Sequence, residues 1–141
     1  MQKRIRIIAG FLAVMIVISL AACTSSKEKT VFDKIKESPA AKMELPEGTS
    51  TYVDSEIASL RSFADLKIQA SLLEPADDEE DWRIYRIVFN PAEKVTGTDE
   101  IIVSFHKDYL QINTEYYLPV DGVSYESVLE WAEGKFDYFL K

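Results

Sequence analysis

The sequence predicts an α+β domain, a four-stranded antiparallel meander sheet with a C-terminal amphipathic helix and a second helix near residue 60 packed on one face. Three observations carry that expectation. Two alternating runs, EIIVSF and YLQINTEYYL, flank a tight connection at Lys107-Asp108. A stripe of Tyr125, Val128, Leu129, Ala132, Phe136, Phe139 and Leu140 recurs at helical spacing. The segment Trp82 to Asn90 is dense in β-branched and aromatic residues and stops at Asn90-Pro91.

Residues 24–30 (TSSKEKT) are polar and without apolar period, as a tether would be. Val31, Phe32 and Ile35 are spaced for one or two helical turns, after which Pro39, Pro46 and Gly48 predict an irregular stretch to about Ser50. Ile57, Leu60, Phe63 and Ala64 predict a helix with Asp54 or Ser55 as N-cap. Leu66, Ile68, Ala70 and Leu72 then alternate with polar residues, the period of a half-buried strand. Glu74 to Asp81 holds six acids in eight residues and suits an exposed hairpin connection to the next strand. That strand carries apolar groups on both faces (Trp82, Ile84 and Val88; Tyr85, Ile87 and Phe89), which makes it central in the sheet.

Turning at Lys107-Asp108 makes paired residue numbers sum to 215, so Phe105 faces Leu110, Val103 faces Ile112 and Ile101 faces Thr114. A slip of one residue would send that apolar set to the opposite side. The other side pairs His106 with Tyr109, Ser104 with Gln111, Ile102 with Asn113 and Glu100 with Glu115. The final helix begins after a Ser124 N-cap. Gly134 inside it costs about 1 kcal/mol against Ala, which predicts a close backbone contact or an early helix end there.

The chain has 141 residues, 24 acidic against 16 basic side chains, a formal net charge of −8 and one cysteine. That charge repels a phosphate backbone, so nucleic acid is excluded as a natural ligand class. One thiol excludes an intramolecular disulfide framework, and an 11% aromatic content supplies core enough without one.

The amino terminus places Lys3, Arg4 and Arg6 before 14 uncharged residues from Ile7 to Leu20, the layout of a secretory signal. The run ends Leu20-Ala21-Ala22-Cys23. Here the sequence resembles the bacterial lipoprotein signal peptide, whose lipobox ends in an obligatory cysteine. The resemblance covers about the first 23 residues and implies thioether formation at Cys23, cleavage between Ala22 and Cys23, and acylation of the new terminus. Two or three acyl chains at roughly 0.8 kcal/mol per buried CH₂ make a firm anchor. An uncleaved signal anchor is the alternative, since the uncharged stretch reaches 20 residues by Ser26. The expected organisation is therefore a signal peptide over 1–22, a lipidated tether and irregular segment over 23–50, and a globular domain over 51–141. Removing Lys3, Arg4 and Arg6 takes the charge from −8 to −11, which holds the mature domain off an anionic membrane surface. In a cell with two membranes, Thr24 after the lipidated cysteine implies by the same resemblance sorting to the outer one.

Several constellations bear on chemistry. The run Asp77, Asp78, Glu79, Glu80 and Asp81 offers carboxylates to Ca²⁺ but lacks the EF-hand spacing, and such runs are mostly solvated and mutually repelling. Glu100 opposite Glu115 would destabilise a sheet by roughly 0.2–1 kcal/mol unless they share a proton or a cation, which makes them the candidate acid–base pair. His106, with Ser104 on the same face and Asp108 nearby, lacks the glycine-rich elbow of a triad and reads as an exposed turn histidine. Gly97 is a turn glycine. No cofactor-binding motif is present, and the usual zinc ligand sets are lacking. Ser104, Tyr109, Gln111, Asn113 and Tyr117 compose an open face of the kind that meets a protein, peptide or glycan.

The function that follows is a membrane-anchored extracytoplasmic binding or accessory module, held through lipidated Cys23. The alternatives are a small envelope hydrolase using Glu100 and Glu115, and an inhibitor or immunity-type protein for a basic partner.

Overall fold

The computed structural model describes residues 29–72, 74–75 and 84–140. The signal segment, Ala22, Cys23, the tether to residue 28, the acidic run Asp77 to Asp81 and Trp82 lie outside the described residues.

The chain begins with helix α1, Val31–Lys36, then strand β1, Ala41–Glu44, and strand β2, Ser50–Val53. Helix α2, Ile57–Arg61, runs into a 3₁₀ turn over Ser62–Asp65, followed by β3, Ile68–Ser71, and β4, Tyr85–Phe89. The remainder is β5, Ile101–Phe105, β6, Leu110–Ile112, β7, Glu115–Pro119, and helix α3, Tyr125–Leu140.

The α+β class is as predicted, but the sheet has seven strands, in the order β2-β1-β4-β5-β6-β7-β3 with every neighbour antiparallel. One of the added strands, β1, comes from the segment expected to be irregular, and another, β2, begins where that segment was expected to end. β1 is an interior strand between β2 and β4, and Val31 to Lys141 forms one unit, so the domain begins 20 residues before residue 51. Ala-Lys-Met-Glu has weak β-propensity, and its single large apolar side chain gives no visible period. The prolines that argued against order only bracket it, with Pro39 before β1 and Pro46 in the turn after it. Leu45 closes that turn, donating its N–H to the Thr49 carbonyl at 2.8 Å.

The hairpin register is the predicted one: Val103 opposite Ile112, Ser104 opposite Gln111, Phe105 opposite Leu110. His106 N–H bonds the Tyr109 carbonyl at 2.9 Å across the Lys107-Asp108 turn. Beyond Asn113 the expectation fails, because that residue takes a left-handed φ of 54° and the chain reverses there. Asn113 still meets its predicted partner Ile102, its N–H on the Ile102 carbonyl at 2.9 Å and its Oδ1 accepting the Ile102 N–H at 3.0 Å. β7 then returns along β6 with Leu110 opposite Tyr117 and Ile112 opposite Glu115. Asparagine tolerates this conformation better than most residues, so a turn with neither Gly nor Pro split one expected strand in two.

β3 also departs from expectation. It pairs with β7 at the far edge of the sheet, so the residues between Ser71 and Tyr85 link an edge strand to a central one. Four strand spacings, roughly 19 Å, separate them, which excludes the predicted hairpin. Leu72, expected to be half-buried, is fully exposed.

The helices cover one face. Odd-numbered residues of the central strands (Ile87, Phe89, Val103, Phe105) share a single core with Ile35 of α1, Leu60 of α2, Phe63 of the 3₁₀ turn and Val128, Ala132 and Phe136 of α3. Ser124 caps α3 as predicted, its Oγ accepting the Glu126 N–H at 3.2 Å. At α2 the cap position is Glu56, at φ 61° and without a side-chain cap, instead of Asp54 or Ser55.

The helix α3 passes through Gly134 without a break, and a Cβ there would meet nothing within 4 Å. Neither predicted reason for that glycine holds. Gly134→Ala is therefore expected to raise the unfolding free energy by about 1 kcal/mol through helix propensity alone. The midpoint of urea unfolding at unchanged m-value reads this out, and a destabilised variant would contradict it.

Candidate functional site

The face away from the helices is built from the even-numbered residues of β1, β4 and β5. The ladders set Ser50, Glu44, Arg86, Ser104, Gln111 and Tyr116 in one row across six strands. Tyr52, Lys42, Val88 and Ile102 form the adjacent row.

The polar end of this face lies over β2, β1 and β4. Lys42 Nζ sits 3.2 Å from Glu44 Oε1, and the hydrogen bond to that carboxylate raises the ammonium above its ordinary value. Two ammonium groups approach the Tyr52 ring, Lys94 at 5.0 Å and Lys42 at 5.8 Å from its centroid. Arg86 is exposed. It forms no ion pair or hydrogen bond among the described residues. A groove of about 530 Å³ opens here, with Lys42, Glu44 and Arg86 on the sheet side and Leu45, Pro46 and Ile84 as apolar walls. A smaller hollow of about 210 Å³ adjoins it, sharing Lys42, Glu44 and Arg86 and reaching Glu93 and Glu100.

The other end of the face is aromatic and partly closed. His106 is not the exposed turn residue predicted: it is 8% exposed. Its ring stacks on Tyr109 at 4.3 Å and 11°, and Tyr109 meets Tyr116 edge-on at 5.7 Å. The Tyr125 hydroxyl of α3 donates towards the carbonyls of His106 and Tyr109, which ties this turn to the helix. Ser104 and Tyr109 are buried, Gln111 is half-buried and Asn113 is exposed in its turn. Tyr117 does not belong to this face. The reversal at Asn113 shifts the phase, so Tyr117 lies among the helices, edge-on to Phe32 at 5.8 Å, and Tyr116 takes the outer position.

The expected carboxylate pair does not form. Glu115 stands opposite Ile112, which stands opposite Val103. That places the Glu115 and Glu100 backbones two strands and three residues apart, roughly 14 Å. Each carboxylate has its own partner. Glu100 Oε1 accepts the Ala92 N–H at 2.7 Å, which pins the loop before β5. Glu115 Oε2 accepts the Tyr117 hydroxyl at 3.3 Å. Burial, reinforced by that carboxylate, raises the Tyr117 phenol above its ordinary value.

Another cavity, of about 400 Å³, lies beside α3 between Trp131 and Tyr138. Hydrogen bonds flank it: Trp131 Nε1 to Ser62 Oγ at 3.1 Å, Lys135 Nζ to Ser59 Oγ at 2.7 Å and Tyr138 OH to Glu56 Oε1 at 3.0 Å. These bonds tie α3 to α2 and its 3₁₀ turn.

Sequence reasoning missed Arg86 and Lys42. Arg86 is the one charge among apolar neighbours from Ile84 to Phe89, a signal visible in the sequence, but Lys42 reaches it only through a β1–β4 pairing that the sequence did not disclose. Among the described residues, no group of three or more His, Cys, Asp or Glu is placed to hold a metal ion, and no helix is long and apolar enough to cross a membrane. Comparison of the chain with protein-family models, curated proteins and solved structures finds no match.

Proposed function

We propose that this chain is a lipid-anchored extracytoplasmic protein of a bacterial envelope, acting as a binding or accessory module. The observation that carries the placement is the order of Lys3, Arg4 and Arg6, an uncharged apolar run, and Leu20-Ala21-Ala22-Cys23. The binding role is supported by the division of the sheet. One face is filled by helices, while the other offers a groove with charged and apolar walls over β1 and β4. A net charge of −11 once Lys3, Arg4 and Arg6 are removed supports a mature domain that is repelled by an anionic membrane surface.

Cys23→Ala is the test. In the parent, intact-mass spectrometry of native material should show loss of residues 1–22 and a gain of acyl mass, with the protein in the membrane fraction. The variant should accumulate as unmodified precursor or soluble protein with its fold retained. An unmodified full-length parent, or an unchanged mass and membrane fraction in the variant, overturns the proposal.

A further inference from the structure

We infer that the groove over β2, β1 and β4 captures the free carboxylate of a peptide whose last side chain is aliphatic. The inference rests on the outer sheet face being the binding face. Among the described residues, Lys42, Glu44 and Arg86 are the charged side chains that line the groove. Lys42 and Glu44 offset each other at 3.2 Å. Arg86, directly across the ladder from Glu44, is left as an exposed guanidinium without a partner among the described residues. Among the described residues that line the groove there is thus one more positive than negative side chain, on a chain whose formal net charge is −8.

A guanidinium offers a planar fork of donors that matches a carboxylate in two parallel hydrogen bonds. The apolar walls narrow the choice of ligand further. Leu45, Pro46 and Ile84 line the same hollow as Arg86, so a group next to the carboxylate gains there by being aliphatic. A doubly charged phosphate would bring a second negative charge towards Glu44. A C-terminal leucine or valine supplies a single carboxylate and an aliphatic side chain from one residue.

The test is a titration of the intact chain in detergent micelles, followed by backbone amide shifts. The probes are N-acetyl-Ala-Ala-Leu as the free acid, the same peptide as its C-terminal amide, sodium phosphate and glucuronate. The free acid should give saturable shifts at Glu44, Leu45, Ser50 and Arg86. The amide should bind about tenfold or more weakly. Arg86→Gln should lose about the same factor for the free acid, with the spectrum otherwise unchanged, and Arg86→Lys should fall between because charge survives without the fork. Equal binding of acid and amide, an Arg86→Gln variant that binds like the parent, tighter binding of phosphate or glucuronate, or no saturable shift each overturns the inference. Saturable shifts confined to His106, Tyr109 and Tyr116 would overturn the carboxylate site while leaving the outer face as the binding face. The Cys23→Ala test of anchoring is independent of all these outcomes.

Discussion

Phe63→Ala is expected to lower the unfolding free energy by about 3–5 kcal/mol, the range for removing a fully buried aromatic side chain. Phe63 has no exposed surface. It sits in the 3₁₀ turn after α2, where it meets rings from four other parts of the fold. Phe89 of β4 lies at 6.3 Å, Phe105 of β5 edge-on at 6.0 Å and Trp131 of α3 at 5.7 Å, with Phe32 of α1 at 6.4 Å. Deleting the ring removes its transfer free energy and leaves a cavity walled by elements that cannot all move inward together. Against a typical domain stability of about 5–15 kcal/mol, the loss is a large fraction of the total. Phe63→Leu keeps most of the volume and should cost less than half as much, because packing density and not aromaticity carries most of the effect. Urea unfolding of both variants decides it. A loss below about 1 kcal/mol for the alanine variant would show that this cluster is not the centre of the core.

What the sequence disclosed and what it concealed divides along the range of the interactions involved. The α3 stripe, the Ser124 cap and the register of the Lys107-Asp108 hairpin are set by neighbours a few residues away, so periodicity and turn spacing find them. The central position of β4 was legible too, because apolar groups on both of its faces require cover on both. The reversal at Asn113-Thr114 escaped because its local signal was a single asparagine inside an alternating run. β1 escaped because a short interior strand is specified by its two partners more than by its own composition. The candidate site inherits that limit. Arg86 was visible as a charge in an apolar strand, whereas Lys42 and Glu44, which decide whether Arg86 is compensated, arrive through a pairing between residues more than 40 positions apart. The pairing of Glu100 with Glu115 failed for the same reason in reverse, since a correct local register was extended past the point where the chain turns away.

Asn90→Ala is expected to cost about 2 kcal/mol, through two separable effects: loss of a buried hydrogen bond and an αL conformation that alanine resists. Asn90 is 5% exposed and adopts φ 55° at the end of β4. Its Oδ1 lies 2.8 Å from the Ser38 hydroxyl, which is itself 1% exposed and also 2.8 Å from the Ala40 carbonyl. A hydroxyl has one proton to give, so these two acceptors share it. The Asn90 N–H closes the cluster, bonding the Ala40 carbonyl at 3.0 Å and the Ser38 Oγ at 3.2 Å. Arg61 Nε adds α2 to the same point by donating to the Ser38 carbonyl at 2.8 Å. The end of α1, the start of β1, the end of β4 and α2 thus meet on one serine. Asn90→Gly removes the side-chain bond but adopts the left-handed φ freely, so it should be about 1 kcal/mol less damaging than Asn90→Ala. Ser38→Ala leaves Oδ1 buried without its donor, at about 1–3 kcal/mol. Because the two side chains share that bond, Ser38→Ala combined with Asn90→Ala should cost less than the two losses added together, by about 1 kcal/mol. Equal stabilities for Asn90→Gly and Asn90→Ala would remove the conformational part of this account, and strict additivity in the double variant would remove the hydrogen bond.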